Sequence, residues 1–260
     1  MKAWRVAWPV IGAAALVLAA SGSQGADDAR RSGFDFMSPA TQGLQRDDTA
    51  NPGMLAVRDG EDLWSRRRGA ADKSCADCHG DARNSMRGVA ARYPAWDPPT
   101  QQAFDLGGRI RQCQERRQLA TQFPHESEGL LGLEAYLALQ SRGMPMAPPA
   151  DARLDAARAR GERLYRQRIG QLDLACAQCH DQHAGQHLGG STIPQAHAIG
   201  YPTYRLEWQS LGSLQRRLRN CMSGVRAEPY AYGAPELIEL ELYLATRDRG
   251  MALEAPAVRP

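Results

Sequence analysis

The chain has almost no charge of one sign to spare. Its 260 residues carry 32 Lys and Arg against 29 Asp and Glu, a formal +3. Two of those positives, Lys2 and Arg5, stand at the extreme N-terminus, so downstream 30 basic residues face 29 acidic ones. A basic footprint for nucleic acid or for an anionic membrane surface is therefore missing. A long hydrophobic run is missing too. The longest, residues 6–20, falls short of the roughly 20 residues that a membrane-spanning helix needs. Strand-like alternation of apolar and polar residues is nearly absent, which points away from a β architecture.

What is present begins with that short apolar run. It follows a basic start and precedes small residues around Ser23 and Gly25, the layout of a secretory signal. Residues 1–25 are accordingly set outside the fold, leaving about 235 residues expected to be exported, and periplasmic in a bacterium. With 43% hydrophobic and 23% charged residues, the chain can build one large or two small cores.

Six cysteines in an exported chain would ordinarily suggest up to three disulfides. Four of them instead occur in two copies of one pattern, Cys75-Ala76-Asp77-Cys78-His79 and Cys176-Ala177-Gln178-Cys179-His180. This is the signature of covalent haem c attachment. Two thiols add across the haem vinyl groups, and the adjacent His supplies a proximal iron ligand. The spacing sets both sulfurs on one side of a single turn. Redox CxxC pairs and zinc half-sites share the CxxC portion, but neither calls for a following His in both copies.

The chain is also duplicated. Gly60-Glu61 and Leu63-Trp64 return as Gly161-Glu162 and Leu164-Tyr165, 101 positions on, and the haem motifs share that offset. Tyr93-Pro94 matches Tyr201-Pro202 at 108, so the second copy carries a seven-residue insertion after its haem motif. Arg109, Arg111 and Cys113 match Arg217, Arg219 and Cys221 at 108, and Glu134, Tyr136 and Met144 match Glu241, Tyr243 and Met251 at 107. The expected fold is all-α, with two tandem cytochrome c-like haem lobes: an N-terminal extension over 26–59, a first lobe over 60–149 and a second over 150–260. Periodicity predicts helices over 60–69 and 155–168, over 100–117 and 203–221, and over 128–142 and 235–249. The proline-rich segment 145–149 reads as a stiff linker.

An ordinary electron carrier of this class places Met as the second iron ligand, late in the lobe and before the final helix. Here both lobes have a cysteine in that place, Cys113 and Cys221, while the methionines fit less well. Met222 aligns with Gln114, Met86 has no counterpart, and Met144 and Met251 lie beyond the terminal helices. Three roles compete for Cys113 and Cys221: thiolate iron ligands, a mutual disulfide joining the lobes, or buried core filler. A thiolate donor would depress the haem potential relative to Met. Arg217 stands four residues before Cys221 and shares its helix face, with Arg219 and Arg226 near in sequence. It is either an oxyanion donor or part of a solvated basic face. His183 and His187 are a weak candidate metal pair, otherwise surface histidines; His125 and His197 carry no functional reading.

Beyond the generic pattern, the chain resembles the SoxA family of dihaem cytochromes over essentially its whole mature length. The resemblance rests on the segment 32–48, Asn51-Pro52-Gly53-Met54, Gly60-Glu61-Asp62-Leu63-Trp64, and the run Arg219-Asn220-Cys221-Met222-Ser223-Gly224-Val225-Arg226. It implies two covalently bound haem c groups. Cys75 and Cys78 would hold the first, with His79 and Cys113 on its iron; Cys176 and Cys179 would hold the second, with His180 and Cys221 on its iron. It further implies a periplasmic L-cysteine S-thiosulfotransferase paired with a SoxX-like monohaem cytochrome. The reaction couples thiosulfate oxidatively to the cysteine of a SoxYZ-like carrier, and electrons leave to a downstream c-type cytochrome. Cys221, as a persulfide-forming sulfur, and Arg217, contacting substrate, would be the catalytic residues. The rival reading is a dihaem electron carrier with no bond-forming chemistry. A dihaem peroxidase, which needs a displaceable ligand, fits paired thiolates poorly.

Overall fold

Ser38, Ser74, Asp105, Ser127 and Ser213 each stand one residue before a helix, and their side chains accept a backbone N–H from its first turn. These caps satisfy donors that a helix start otherwise leaves open, and they set where the main helices begin. The computed structural model describes residues 1–4 and 28–260. The apolar run on which the secretory-signal reading rests lies outside the described residues. Residues 31–260 form one unit; in the separate N-terminal unit Asp28 pairs with Arg30 at 2.6 Å.

The helices are α1 (Pro39–Arg46), α2 (Gly53–Ser65), α3 (Cys75–His79), α4 (Ala82–Ser85), α5 (Leu106–Cys113), α6 (Glu128–Leu139), α7 (Asp155–Arg166), α8 (Leu214–Gly224) and α9 (Pro235–Arg247). Two pairings organise them. α2 packs on α6, and α7 packs on α9. The repeated Gly-Glu motif explains both. A Cβ on Gly60 would lie 2.0 Å from the carbonyl oxygen of Gly132, and one on Gly161 would lie 1.9 Å from that of Glu239. Only glycine lets these backbones touch, so the duplicated glycines fix the two helix crossings. Leu130, Leu131, Leu133 and Tyr136 bury the first crossing with Val57 and Trp64. Leu237, Leu240 and Leu244 bury the second with Tyr165.

Strands occur where continuous helices were expected. β1 (Ala95–Asp97) and β2 (Gln102–Phe104) form a hairpin before α5, while β5 (Thr203–Arg205) and β6 (Ser210–Gly212) form the matching hairpin before α8. The helical spans expected over 100–117 and 203–221 are thus each part hairpin, part helix. The all-α expectation is corrected to a mainly helical fold with three small sheets among the described residues. Strands of three residues are too short to display alternation, which is why periodicity missed them. β3 (His187–Leu188) and β4 (Ser191–Thr192) form a third hairpin inside the second half's insertion.

α2 runs across residue 59, where the extension was expected to end. The preceding segment is not loose. α1 packs on β7 (Ala257–Arg259), which lies parallel to β5. Buried Asn51 donates to the Pro256 carbonyl at 3.0 Å and accepts from Gly53 N–H at 2.9 Å. Met146, in the proline-rich linker, exchanges backbone hydrogen bonds of 2.8 Å with Met251 and Gly250. The linker is therefore stitched to the second half.

Candidate functional site

Cys75 and Cys78 lie one turn apart on α3, whose start is locked by a reciprocal Ser74–Asp77 capping box. In the second half the same motif passes into a π-helical turn over Gln178–Gln182, a wider winding often found at functional sites. A second π-turn, Gln114–Gln118, follows Cys113 directly. All six cysteines are unpaired, so the inter-lobe disulfide weighed for Cys113 and Cys221 does not form.

The second half brings its sequence-selected residues together. His180 donates Nδ1–H to the Pro194 carbonyl at 2.7 Å, which fixes the tautomer and leaves Nε2 with its lone pair. Such a bond is what orients a metal-ligating imidazole. His180 lies beside Cys221. Burial opposes ionisation of the Cys221 thiol, but the neighbouring His180 and the charges of Arg217 and Arg205 outweigh it and lower the pKa. Cys176 sits beside Cys221 and is pushed up to about 11, by burial first and then by that neighbour.

The first half repeats the framework with different electrostatics. Cys75 lies near Cys113 and is likewise raised to about 11 by burial and that proximity. His79 is exposed, with its ring centroid 5.8 Å from that of Trp64. Burial raises the pKa of Cys113 even though Arg109 and Arg117 act against it. Arg109, the counterpart of Arg217, is tied to fully buried Asp97 at 2.7 Å. Asp97 also accepts from Thr100 at 2.8 Å and from Gln112 at 3.2 Å. In the second half Arg217 has no carboxylate partner among the described residues.

Comparison with known proteins agrees with this layout. The profile of the SoxA/TsdA cytochrome c domain matches twice, over residues 59–146 and 160–253. The chain belongs to the SoxA/TsdA cytochrome c family. Within it, the chain is 38% identical to the L-cysteine S-thiosulfotransferase subunit SoxA of Pseudaminobacter salicylatoxidans, over 88% of this chain and 80% of that one. The subunit of the same name from Rhodovulum sulfidophilum is 35% identical, over 89% and 81%. The fold matches the crystal structure of SoxXA from P. pantotrophus with a TM-score of 0.85 at 32% identity, covering 89% of this chain and 87% of that chain.

A cytochrome c domain carries covalently bound haem c, and the residues of this SoxA-family chain fit that group. Each attachment motif keeps its two thiols unpaired and one helical turn apart, and Pro194 holds the second histidine in the tautomer a metal requires. Other features fall outside this set. His183 and His187 are exposed at the insertion hairpin, and among the described residues no three His, Cys, Asp or Glu side chains are placed to hold a bare metal ion. Arg219 stacks on Tyr232 at 4.4 Å. Sequence reading passed over Asp97, Arg205 and the Pro194 carbonyl. The first two were open to it, since the offset of 108 that pairs Arg109 with Arg217 also pairs residue 97 with residue 205.

Proposed function

We propose that this chain is the dihaem subunit of a periplasmic L-cysteine S-thiosulfotransferase, as the SoxA proteins it resembles are named. It couples thiosulfate to the cysteine of a SoxYZ-like carrier protein. The carrier thiol and S2O3(2−) give a cysteine S-thiosulfonate, Cys–S–S–SO3(−), with one proton and two electrons released. The new bond joins the carrier sulfur to the sulfane sulfur of thiosulfate. Two covalent haem c groups, one per half, supply the electron-accepting chemistry when bound. A SoxX-like monohaem cytochrome c is the partner subunit, in keeping with the SoxXA fold match, and a downstream c-type cytochrome takes the electrons. Export is supported by the basic start and apolar run within residues 1–25, and no helix among the described residues is long and apolar enough to cross a membrane.

The observation that carries this reading is the convergence of His180, Cys221 and Arg217 on one point of the second half. Cys75 and Cys78 would hold the first haem, with His79 and Cys113 available to its iron; Cys176 and Cys179 would hold the second, with His180 and Cys221 available to its iron. The Cys221 sulfur is the persulfide-forming group. Arg217 offsets the charge of a dianion approaching a thiolate, an approach that a low-dielectric site would otherwise oppose. Replacing Cys221→Met tests the assignment. The variant keeps its covalently attached haem at a shifted potential and loses thiosulfate-dependent turnover by about a hundredfold or more. Unchanged turnover would reduce the protein to an electron carrier. Intact mass adds a second readout, with two haem increments and one extra sulfur on the peptide spanning 219–226 expected.

A further inference from the structure

The two hairpins share one register. Ala95 pairs with Phe104 and Asp97 with Gln102 in the first; Thr203 pairs with Gly212 and Arg205 with Ser210 in the second. Every one of these positions is related by the offset of 108, and so are the capping residues Asp105 and Ser213 and the arginines Arg109 and Arg217. Residue 205 is thus the structural counterpart of residue 97. In the first half that place holds a buried carboxylate that neutralises the arginine facing it. In the second half it holds another arginine. One exchange changes the local charge by two units, from a closed ion pair to two guanidinium groups whose fields both reach the Cys221 sulfur.

Arg205 is braced against an aromatic ring and a neighbouring carboxylate. Its guanidinium lies 5.2 Å from the ring of Trp208, and Arg216 stacks 4.2 Å from the same ring. A Cβ on Gly212 would lie 2.3 Å from that indole, so the glycine is what lets the Trp lie against the hairpin. One Arg205 nitrogen bonds Glu207 at 3.1 Å, but the Glu207 side chain is 62% exposed. The Nε–H is buried with no hydrogen-bond partner. A buried, unsatisfied donor on a cation beside a second cation is unfavourable in isolation, and an oxyanion placed between the two relieves both costs. Paired arginine forks suit a tetrahedral sulfur oxyanion.

The geometry points to Arg205 as the second arm of an oxyanion clamp, gripping the sulfonate end of a thiosulfate-type dianion together with Arg217 beside Cys221. The inference rests on the thiosulfate-coupling reading and adds a residue that decides which half takes substrate. In the first half Asp97 is already seated on Arg109, so the arginine equivalent to Arg217 is neutralised and the place of Arg205 carries the opposite charge. Specificity between two equivalent sites follows from a single side chain.

The test titrates the purified holoprotein, in its complex with the partner cytochrome, with thiosulfate by calorimetry. The variants are Arg205→Gln, Arg205→Lys and Arg205→Asp. Losing a charged hydrogen-bonding partner weakens binding by about 10- to 100-fold, which is expected of Arg205→Gln. Arg205→Lys keeps the charge without the fork and falls between. Arg205→Asp closes an ion pair on Arg217, as Asp97 does on Arg109, and is expected to abolish binding. KM for thiosulfate rises in the Lys and Gln variants while kcat stays within about threefold, and added salt narrows the difference from the unaltered protein. A merely structural role for Arg205 would instead alter the haem absorbance or lower kcat in Arg205→Lys. Thiosulfate affinity in Arg205→Gln within twofold of the unaltered protein overturns the clamp. If Arg217→Gln loses affinity in the same series, thiosulfate coupling stands without it. If the unaltered protein fails to bind thiosulfate, both the clamp and the coupling reading fall.

Discussion

Cys113 and Cys221 are the same amino acid at equivalent positions, yet their surroundings treat the sulfur oppositely. Burial dominates at Cys113 and favours the thiol; at Cys221 a histidine and two arginines override burial and favour the thiolate. The difference traces to the partners of the nearby arginines, and Asp97 is the residue to perturb. Its carboxyl is held below the ordinary value of 3.8 because bonds from Thr100, Gln112 and Arg109 outweigh burial. A depressed carboxylate adds stability above the unfolded pKa and loses it as the pH falls through the folded one. That share is therefore present above about pH 4 and fades in stronger acid. Asp97→Asn leaves Arg109 half-paired and is expected to cost about 2 kcal/mol, read as a lower urea midpoint at pH 7. An unchanged midpoint would mean the pair contributes nothing to stability. The cysteines, the histidines and Arg217 were legible in the sequence because residue type and spacing alone mark them. The Pro194 carbonyl was not, since a backbone oxygen is aimed by loop geometry that no residue type encodes.

Among the elements, the helix pairs were more legible than the strands. The stretch over 155–168 materialised as α7, Asp155–Arg166, and 128–142 and 235–249 as α6 and α9, because Leu and Tyr at three- and four-residue spacings mark a buried helical face. The hairpins before α5 and α8 gave no such signal, and the π-turns obey no distinct periodicity. The repeated glycines were visible as a motif, but their reason is steric and appears only once the helices cross. Gly161→Ala drives a methyl group to 1.9 Å from the Glu239 carbonyl. Overpacking of this kind costs about 1–3 kcal/mol or more when backbone must yield. The measured effect is expected at the upper end, as a lower urea midpoint with covalent haem retained. A cost under about 0.5 kcal/mol, the range of surface changes, would mean α7 shifts freely against α9.

Across the molecule, the two halves meet around a cavity lined by Asp105, Glu126 and Glu134 from one and Gln215 and Glu241 from the other. Glu134 and Glu241 are themselves counterparts in the duplication. Burial first, and then the charge of Asp105, holds both well above their ordinary carboxylate value of 4.5. Gln215 bridges the halves, donating to Asp105 at 2.8 Å and accepting from Gly233 N–H at 2.7 Å. The sign of the linkage is opposite to that of Asp97. The folded chain keeps protons that the unfolded chain releases above about pH 4.5, so stability falls as the pH rises from there through the folded values. Glu134→Gln removes one such group. Its urea midpoint should therefore decline less between pH 5 and pH 8 than that of the unaltered protein; an equal decline would place the pH dependence elsewhere. None of this was legible in the sequence, because the cavity exists only where residues about a hundred positions apart face one another.

The parallel pairing of β7 with β5, which sets Arg259 opposite Arg205, also has a meaning in time. In a chain that emerges N-terminus first, both cysteine-histidine motifs come early, the second of them complete 77 residues before Ala257 arrives. Until then β5 has only β6 beside it, and the backbone under Arg205 is braced along one edge. The strand that carries Arg205 is thus completed by the last residues of the sequence, long after both attachment motifs.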